Sequence, residues 1–329
     1  MAIVTLGDVA IESRETWKSD KENIPIVGLE HLEPGEISLS KWDINSDNTF
    51  TKMFRKGQVL LGRRRVYLRK AVIAPTDGIC SGDITVIEAM PGKILPELLP
   101  FIIQNDRFFD YAMQGSAGSL SPRVKWEHLQ AYKFQLPNLE EQKVLADKLW
   151  AAYNLKSSYN KLLAATDEMV KSQFIEMFEG DTYPKTRLGD LVSIRTGKLD
   201  ANASSENGKY PFFTCGVETL KIDDYAFDCE AVLLAGNGDF CVKYYNGKFN
   251  AYQRTYVIET LDNNVISVPY LYAWFGQYAK ELRGKAIGGI IKYIKMGDLT
   301  EAKISLPPLD VQNSYIAIAK QADKSKYIN

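Results

Sequence analysis

Leu139–Phe178, LEEQKVLADKLWAAYNLKSSYNKLLAATDEMVKSQFIEMF, contains neither glycine nor proline. Leu145, Leu149, Ala152, Leu155, Tyr159, Leu162, Met169 and Val170 recur mostly three or four apart, the spacing that places side chains on one face of a helix. Pro137 precedes the stretch, and Gly180 and Pro184 follow it, which punctuates a helix at both ends. At 1.5 Å per residue such a helix is about 60 Å long, too long for the core of a small domain. It reads as a spacer between two globular units, its apolar stripe turned toward a partner helix.

The rest of the chain fits that reading. Its 329 residues suit about two domains, and 45% hydrophobic with 25% charged residues describes a globular chain. No stretch approaches the roughly 20 apolar residues of a membrane span. The opening MAIVTLGDVAIESR carries acidic residues and no sustained apolar core, unlike a signal peptide, so a cytoplasmic location without membrane contact is expected. Cys80, Cys215, Cys229 and Cys241 show no CxxC spacing, and His31 and His128 lie far from them in sequence. They are expected to be buried small hydrophobes in a reducing compartment, not a metal site or a disulfide framework. A net charge of -1 argues against a generic basic coat for nucleic acid and leaves local patches open.

Residues 1–137 open with TLGDVA and pass through IPIVGLEHLEPGEISLS, FRKGQVLLGRRRVYLRKAVIAP and ICSGDITVIEA, short β-rich runs cut by Gly, Pro and Asp. From Pro96 to Met113, PELLPFIIQNDRFFDYAM has helical spacing. After the spacer the same order of signals returns. Leu188, Gly189 and Asp190 answer Leu6, Gly7 and Asp8 at an offset of 182, and AVLLAGNGDFCVKYY answers QVLLGRRRVYL. Beyond these the register holds at 170: Gly118 meets Gly288, Lys125 meets Lys295, Leu129 meets Leu299, and Lys133 meets Lys303. Leu136, Pro137, Leu139 and Gln142 likewise meet Leu306, Pro307, Leu309 and Gln312. The expectation is an α+β chain with two similar mixed α/β domains, 1–137 and 181–306. Long helices packing as an antiparallel coiled coil separate them, the first over 138–180 and a shorter one over 307–329. Ile316, Ala319, Ala322 and Tyr327 are the residues this second helix offers to one end of the first.

Catalytic signals are absent from the sequence. There is no GxxxxGK[ST] loop, no Gly-rich dinucleotide turn with an acidic ribose contact, and no D/N-P-P-Y/F tetrapeptide of the kind that grips a flipped base. Two unclustered histidines give poor support to His-dependent catalysis. Asp223 with Asp224 suits a solvated loop, and Glu140 with Glu141 suits the first turn of a helix, where the dipole favours negative charge.

Binding features remain. RRRVYLRK supplies Arg63, Arg64, Arg65, Arg69 and Lys70 around Tyr67; on a strand, alternation would put Arg63 and Arg65 on one face. The guanidinium fork fits phosphate oxygens or guanine O6 and N7, while the same run equally suits an edge strand protected by charge. The loops GSAGSLSPRVK and GKAIGGIIKYIK set flexible backbone beside Arg123, Lys125, Lys285, Lys292 and Lys295. Phosphate could approach there, or the loops could simply end a helix. KYYNGKFNAYQRTY gathers Lys243, Tyr244, Tyr245, Asn246, Lys248, Asn250, Tyr252, Gln253 and Arg254 around an expected Asn246-Gly247 hairpin turn. Asn and Gln can read adenine, and they are also ordinary hairpin residues.

The two helix starts, LPNLEEQKVLADKL and LPPLDVQNSYIAIAKQADKS, together with KSQFIEMF and the second LGD, resemble the specificity subunit of type I restriction-modification systems across essentially the whole chain. The resemblance departs from that pattern in the second helix, which is short from Pro308 to Asn329. It implies two target-recognition domains, each reading one half of a split, asymmetric double-stranded DNA sequence, held apart by the helices. It also implies two methylase subunits and two restriction or motor subunits as partners. S-adenosylmethionine, ATP and Mg are then expected on those partners, with no cofactor and no catalytic site on this chain. The residues expected to meet DNA are Arg63, Arg64, Arg65, Arg69, Arg123, Lys125, Lys243, Tyr245, Lys248, Gln253, Arg254, Lys292 and Lys295. Competing readings are an enzyme with this module coupled to catalysis in one polypeptide, and a non-DNA helical scaffold with two repeated interaction domains.

Overall fold

The computed structural model describes residues 2–116, 122–288 and 292–325, with side chains as far as residue 322. The chain divides into two compact units, Met1–Tyr159 and Asn160–Asn329.

In chain order the first unit holds β1 (Ala2–Thr5), α1 (Leu6–Val9), β2 (Ala10–Ser13), β3 (Pro25–Val27), β4 (Asp43–Ile44), β5 (Lys52–Phe54) and β6 (Val59–Gly62). It continues with β7 (Ala71–Ile73), β8 (Gly78–Cys80), β9 (Ile84–Ala89), α2 (Leu99–Ile103), α3 (Asp106–Gln114), α4 (Trp126–Leu129), β10 (Lys133–Leu136) and the start of α5 (Leu139–Phe178). One sheet has the order β2-β9-β6-β7, a second the order β4-β3-β8-β5, and β1 pairs with β10 in a ribbon. The run Val59-Leu60-Leu61 is apolar throughout because both faces of β6 are covered. Val59 and Leu61 join the core beneath the helices, and Leu60 joins the core shared with Phe54 and Cys80.

The second unit holds β11 (Lys185–Arg187), β12 (Val192–Thr196), β13 (Tyr210–Phe213), β14 (Leu220–Ile222), β15 (Phe227–Ala235), β16 (Val242–Ala251) and β17 (Thr255–Thr260). After these come α6 (Val268–Lys285), α7 (Met296–Thr300), β18 (Lys303–Ser305) and α8 (Leu309–Ser325). Its main sheet runs β12-β17-β15-β16-β13-β14. Here β15 takes the place of β5 and β6, and β16 that of β7 and β8. The parallel pair β13 and β16 repeats the parallel pair β3 and β8. The first unit breaks both long strands at the same level. Gly57 takes φ +87°, Pro75 can donate no ladder hydrogen bond, and the break is tied by Gly57 N–H to the Ala74 carbonyl (2.9 Å) and Lys56 N–H to Asp77 Oδ1 (2.8 Å).

The helix expected from Pro96 to Met113 is also two helices. Asn105 Oδ1 accepts the Arg107 N–H at 2.9 Å and caps α3, while Gln104 donates to the Glu36 carbonyl at 2.7 Å. In the second unit α6 is uninterrupted.

Matched residues frame both units. Leu6 and Leu188 are fully buried, and their N–H groups donate to the Tyr132 and Ala302 carbonyls, each at 2.8 Å. Gly7 and Gly189 lie so close to Gln130 and Thr300 that a Cβ would come within 3.1 Å of either side chain. Gln142 and Gln312 are buried amides with matching duties. Gln142 accepts the Leu95 N–H (2.9 Å) and donates to the Lys93 (3.3 Å) and Pro137 (3.0 Å) carbonyls. Gln312 accepts the Ser267 N–H (3.0 Å) and donates to the Val265 (3.0 Å) and Pro307 (2.9 Å) carbonyls. Each glutamine thus satisfies groups that burial would otherwise leave orphaned.

The expected helix over Leu139–Phe178 is present as one element, but of the stripe the spacing suggested only Leu149 and Val170 are packed against the cores. Leu145, Leu155, Tyr159, Leu162 and Met169 are exposed, as is Ala152. The covered face keeps Leu149 and Val170 and otherwise uses neighbours of the expected stripe. Ala146, Leu149 and Trp150 pack on the first unit, and Val170, Phe174, Met177 and Phe178 pack in the second. Aromatic bulk decides this: Trp150 stands edge-on to Phe101, and Phe174 and Phe178 clasp Tyr270 and Tyr315. Tyr315 meets Phe174 and Phe178, while Ala319 and Lys320 share a cavity wall with Asp167, Val170 and Lys171, so α8 runs antiparallel to this end of α5. Ile316 is buried and Ala319 partly so, as expected; Tyr327 lies outside the described residues. Of the cysteines only Cys80 is fully buried, the other three being half-buried, and all four are free. No helix among the described residues is long and apolar enough to cross a membrane.

Candidate nucleic-acid interface

β6 stops at Gly62, so the arginine run that follows is not a strand and Arg63 and Arg65 do not share a strand face. Arg65 and Arg69, both at φ +53°, bracket a 3-10 turn over Val66–Leu68, and the buried Val66 pins that turn to the core. The run pairs across the unit instead. Val124 N–H donates to the Arg63 carbonyl (2.9 Å), Arg65 N–H donates to the Pro122 carbonyl (2.8 Å), and Arg64 bridges Arg123. The arginine run and the end of the first Gly loop therefore form one junction.

The second unit builds the same junction. Gly238 N–H donates to the Lys292 carbonyl (3.0 Å), Ile294 N–H donates to the Gly236 carbonyl (3.1 Å), and Asn237 bridges Tyr293. By the repeat, Gly236–Gly238 stand for Arg63–Arg65 and Lys292–Ile294 for Pro122–Val124. Lys125 and Lys295 then hold matching places as the extended residues that begin α4 and α7. Ala117–Ser121, including Gly118, and Gly289–Ile291 lie outside the described residues.

In the first junction Asp83 organises the charges. Arg123 donates to it through Nε (2.7 Å) and NH2 (3.3 Å), and Arg64 NH1 lies 3.5 Å away. The hydrogen bond from Arg123 holds the Asp83 carboxyl below the usual carboxylate range against the opposing pull of burial, with further help from the Arg64 and Arg63 charges. Arg63 is half-buried, and its Nε is shielded from solvent without a partner among the described residues. It lines a cavity of about 310 Å³ with Glu12, Arg14, Lys125 and Glu127. Arg65 and Lys125 are exposed. Arg69 is drawn away to Asp106 and Asp110 of α3, and Lys70 donates to the Leu29 carbonyl at 2.8 Å, so both serve the scaffold.

In the second unit the expected Asn246-Gly247 turn is absent. Both residues lie inside β16, where Gly247 faces Cys229 of β15. The Asn-Gly that turns is Asn237-Gly238, with φ +74° at Gly238 and +51° at Phe240. Lys243 is committed to the Gly216 (2.8 Å) and Glu218 (3.2 Å) carbonyls, and burial lowers its pKa. Tyr245 packs against Phe213 and Phe249, and Lys248 lies 4.5 Å over the Tyr225 ring. All three lie on β16 and line neither junction cavity, although Lys243 is held beside Cys215, whose thiol meets the Arg254 carbonyl at 3.4 Å. Gln253 and Arg254, exposed in the turn between β16 and β17, do reach the junction. With Thr196, Gly236 and Tyr293 they line a cavity of about 320 Å³ in the position of the first unit's cavity. Lys292 and Lys295 are exposed beside it, whereas Lys285 is paired with Glu281 at the end of α6.

Two like-placed surfaces result. One presents Arg63, Arg64, Arg65, Arg123 and Lys125, with Asp83 between Arg64 and Arg123 and with Glu12 and Glu127 on the cavity wall; the other presents Arg254, Lys292 and Lys295 with Asn237, Gln253 and Tyr293. Forked cations and amides of this kind can meet phosphate oxygens and base edges. Sequence reasoning missed Asp83 and Tyr293. Asp83 follows Ser81-Gly82 and looks like an ordinary turn residue; only the match of Pro122–Val124 to Lys292–Ile294 at offset 170 could have drawn attention to Tyr293.

The sequence family described as Type I restriction modification DNA specificity domain matches residues 1–164 and again 181–328. The Type I restriction enzyme EcoDI specificity subunit of Escherichia coli is 49% identical over 120 residues, 36% of this chain and 26% of that protein, so the match spans about a quarter of the relative's length. The Type I restriction enzyme MjaIX specificity subunit of Methanocaldococcus jannaschii is 23% identical over 97% of this chain and 85% of its own. Among solved structures, the S subunit of a Type-I restriction-modification system from M. genitalium superimposes with a TM-score of 0.68 at 13% identity, covering 99% of this chain and 90% of that one. A chain from a type I R-M system solved for its complex assembly and conformational transition gives 0.54 at 19% identity, with coverage of 99% and 90%. At these identities the structural likeness establishes the fold.

Proposed function

The chain belongs to the type I restriction-modification DNA specificity family, and from that premise we propose that each unit reads one half of a two-part DNA target through its junction. The observation that carries this is one backbone arrangement built twice with different side chains: Arg63–Arg65 with Arg123 in the first unit, Asn237 with Tyr293 in the second. A shared frame with unlike reading groups is what two different half-sites require. The chain itself performs no reaction; methylase subunits supply S-adenosylmethionine chemistry, and restriction subunits supply ATP-driven cleavage with Mg. Exposed residues along α5, including Leu155, Tyr159 and Leu162, offer those partners a docking face. The complex works in the cytoplasm. α5 sets the distance between the half-sites, and linking two readers in one chain raises affinity through effective concentration.

Methyladenine sequencing of DNA from cells carrying this chain and its methylase reads the target directly. Inserting about four residues, one helical turn, between Ala164 and Ala165 is expected to lengthen the unspecified gap while both halves stay the same. A gap of unchanged length would refute the spacing role.

A further inference from the structure

We propose that Asp83 is a positioning residue that presets Arg123, with Arg64 alongside, as a guanidinium fork for a guanine edge in one half-site. The inference rests on the DNA-reading function proposed above. Asp83 is fixed to the frame by two backbone links: its N–H donates to Ser81 Oγ (3.2 Å), and its carbonyl accepts the Arg63 N–H (2.9 Å). Its carboxylate is held across the junction, where Arg123 engages both oxygens through Nε and NH2. A guanidinium gripped along that edge keeps its NH1 end without a protein partner among the described residues. The NH1 and NH2 end carries parallel N–H donors, which match O6 and N7 of guanine.

Exposure supports the same division of labour. The Asp83 side chain is 20% exposed, against 46% for Arg123 and 40% for Arg64, so the acid forms a floor and the arginines the surface. Against Asp83, Glu12 and Glu127 stand Arg14, Arg63, Arg64, Arg65, Arg123 and Lys125, so the patch stays positive, as a site beside phosphates requires. Holding long side chains in place before DNA arrives removes rotamer entropy that binding would otherwise lose. Arg254, Asn237 and Tyr293 stand at the matching places in the second unit, so the device belongs to one half-site only.

The test uses the full chain with its methylase partner and a pool of duplexes randomised around the target, sequenced after selection for binding. Asp83→Asn keeps the shape and removes the charge; Arg123→Lys keeps the charge and removes the fork. Both are expected to lose about tenfold or more in discrimination at the same G·C pair, with the other half-site and the salt dependence unchanged. A uniform loss of affinity with the same sequence preference would assign the arginines to phosphate and overturn the proposal. Unchanged preference at unchanged affinity in both variants would also overturn it while leaving the DNA-reading function standing. If the unaltered complex selects no sequence at all, that function and this inference fall together.

Discussion

The two units repeat their joints more faithfully than their spans. The second has strands β15 and β16 of nine and ten residues, where the first has four pieces of three or four. The second has one 18-residue helix, where the first has two short ones. Yet the Leu-Gly-Asp turn, the buried glutamine at the helix start and the paired junction recur contact for contact. What the duplication preserved is the set of points where backbone meets backbone. The lengths between them drifted.

The largest contrast concerns what covers each ribbon. In the second unit Phe174 and Phe178 are buried against Tyr270 and Tyr315. In the first, Leu145 at the repeat position of Tyr315 is 40% exposed, and Ile3 is 73% exposed. Phe174→Ala is therefore expected to cost about 4 kcal/mol, the range for emptying an aromatic site in a packed core, whereas Ile3→Ala stays within about 0.5 kcal/mol, as surface changes do. Native-state hydrogen exchange resolved by unit separates the two, and equal losses would erase the contrast.

The glutamines should behave alike. Gln142→Leu and Gln312→Leu each strip partners from one N–H and two carbonyls, and each is expected to destabilise its own unit by about 2–3 kcal/mol. A silent substitution on one side would break the equivalence of the helix starts.

The smallest effect is a response to acid. Because the Asp83 carboxyl titrates below its ordinary range, its stabilisation of the first junction is fully present above the unfolded value of about 3.9 and is lost as pH falls through the folded one. Protection of the Arg63 and Val124 amides, taken relative to the free-peptide exchange rate at each pH, is expected to fall below about pH 4. Asp83→Asn should remove that dependence, and a Val124 amide indifferent to acid would sever Asp83 from the junction.

Much of this plan was legible in the sequence, because its carriers are local or repeated. The long helix follows from absent breakers, and Gln142 and Gln312 follow from a shared register. Most of the buried face of α5 was misplaced because spacing alone does not weigh Trp150 or Phe174 against Leu155, and the aromatics choose the buried side. The arginine run was misread as strand because its left-handed residues, Arg65 and Arg69, carry no glycine to announce them. The clamp on Arg123 joins residues forty apart, a pairing no local pattern encodes.

β1 and β10 run antiparallel from Ala2 opposite Leu136 to Thr5 opposite Lys133, and β11 and β18 close the second unit in the same way. Each unit is thus threaded through a single doorway, its incoming and outgoing chain held side by side by ladder bonds indifferent to side-chain identity. A recombination event cutting at that doorway would exchange a whole reader as a cassette, carrying its loops and its Leu-Gly turn intact and leaving the new occupant to match the buried glutamine and the few helix side chains, Trp150 among them, that pack on it.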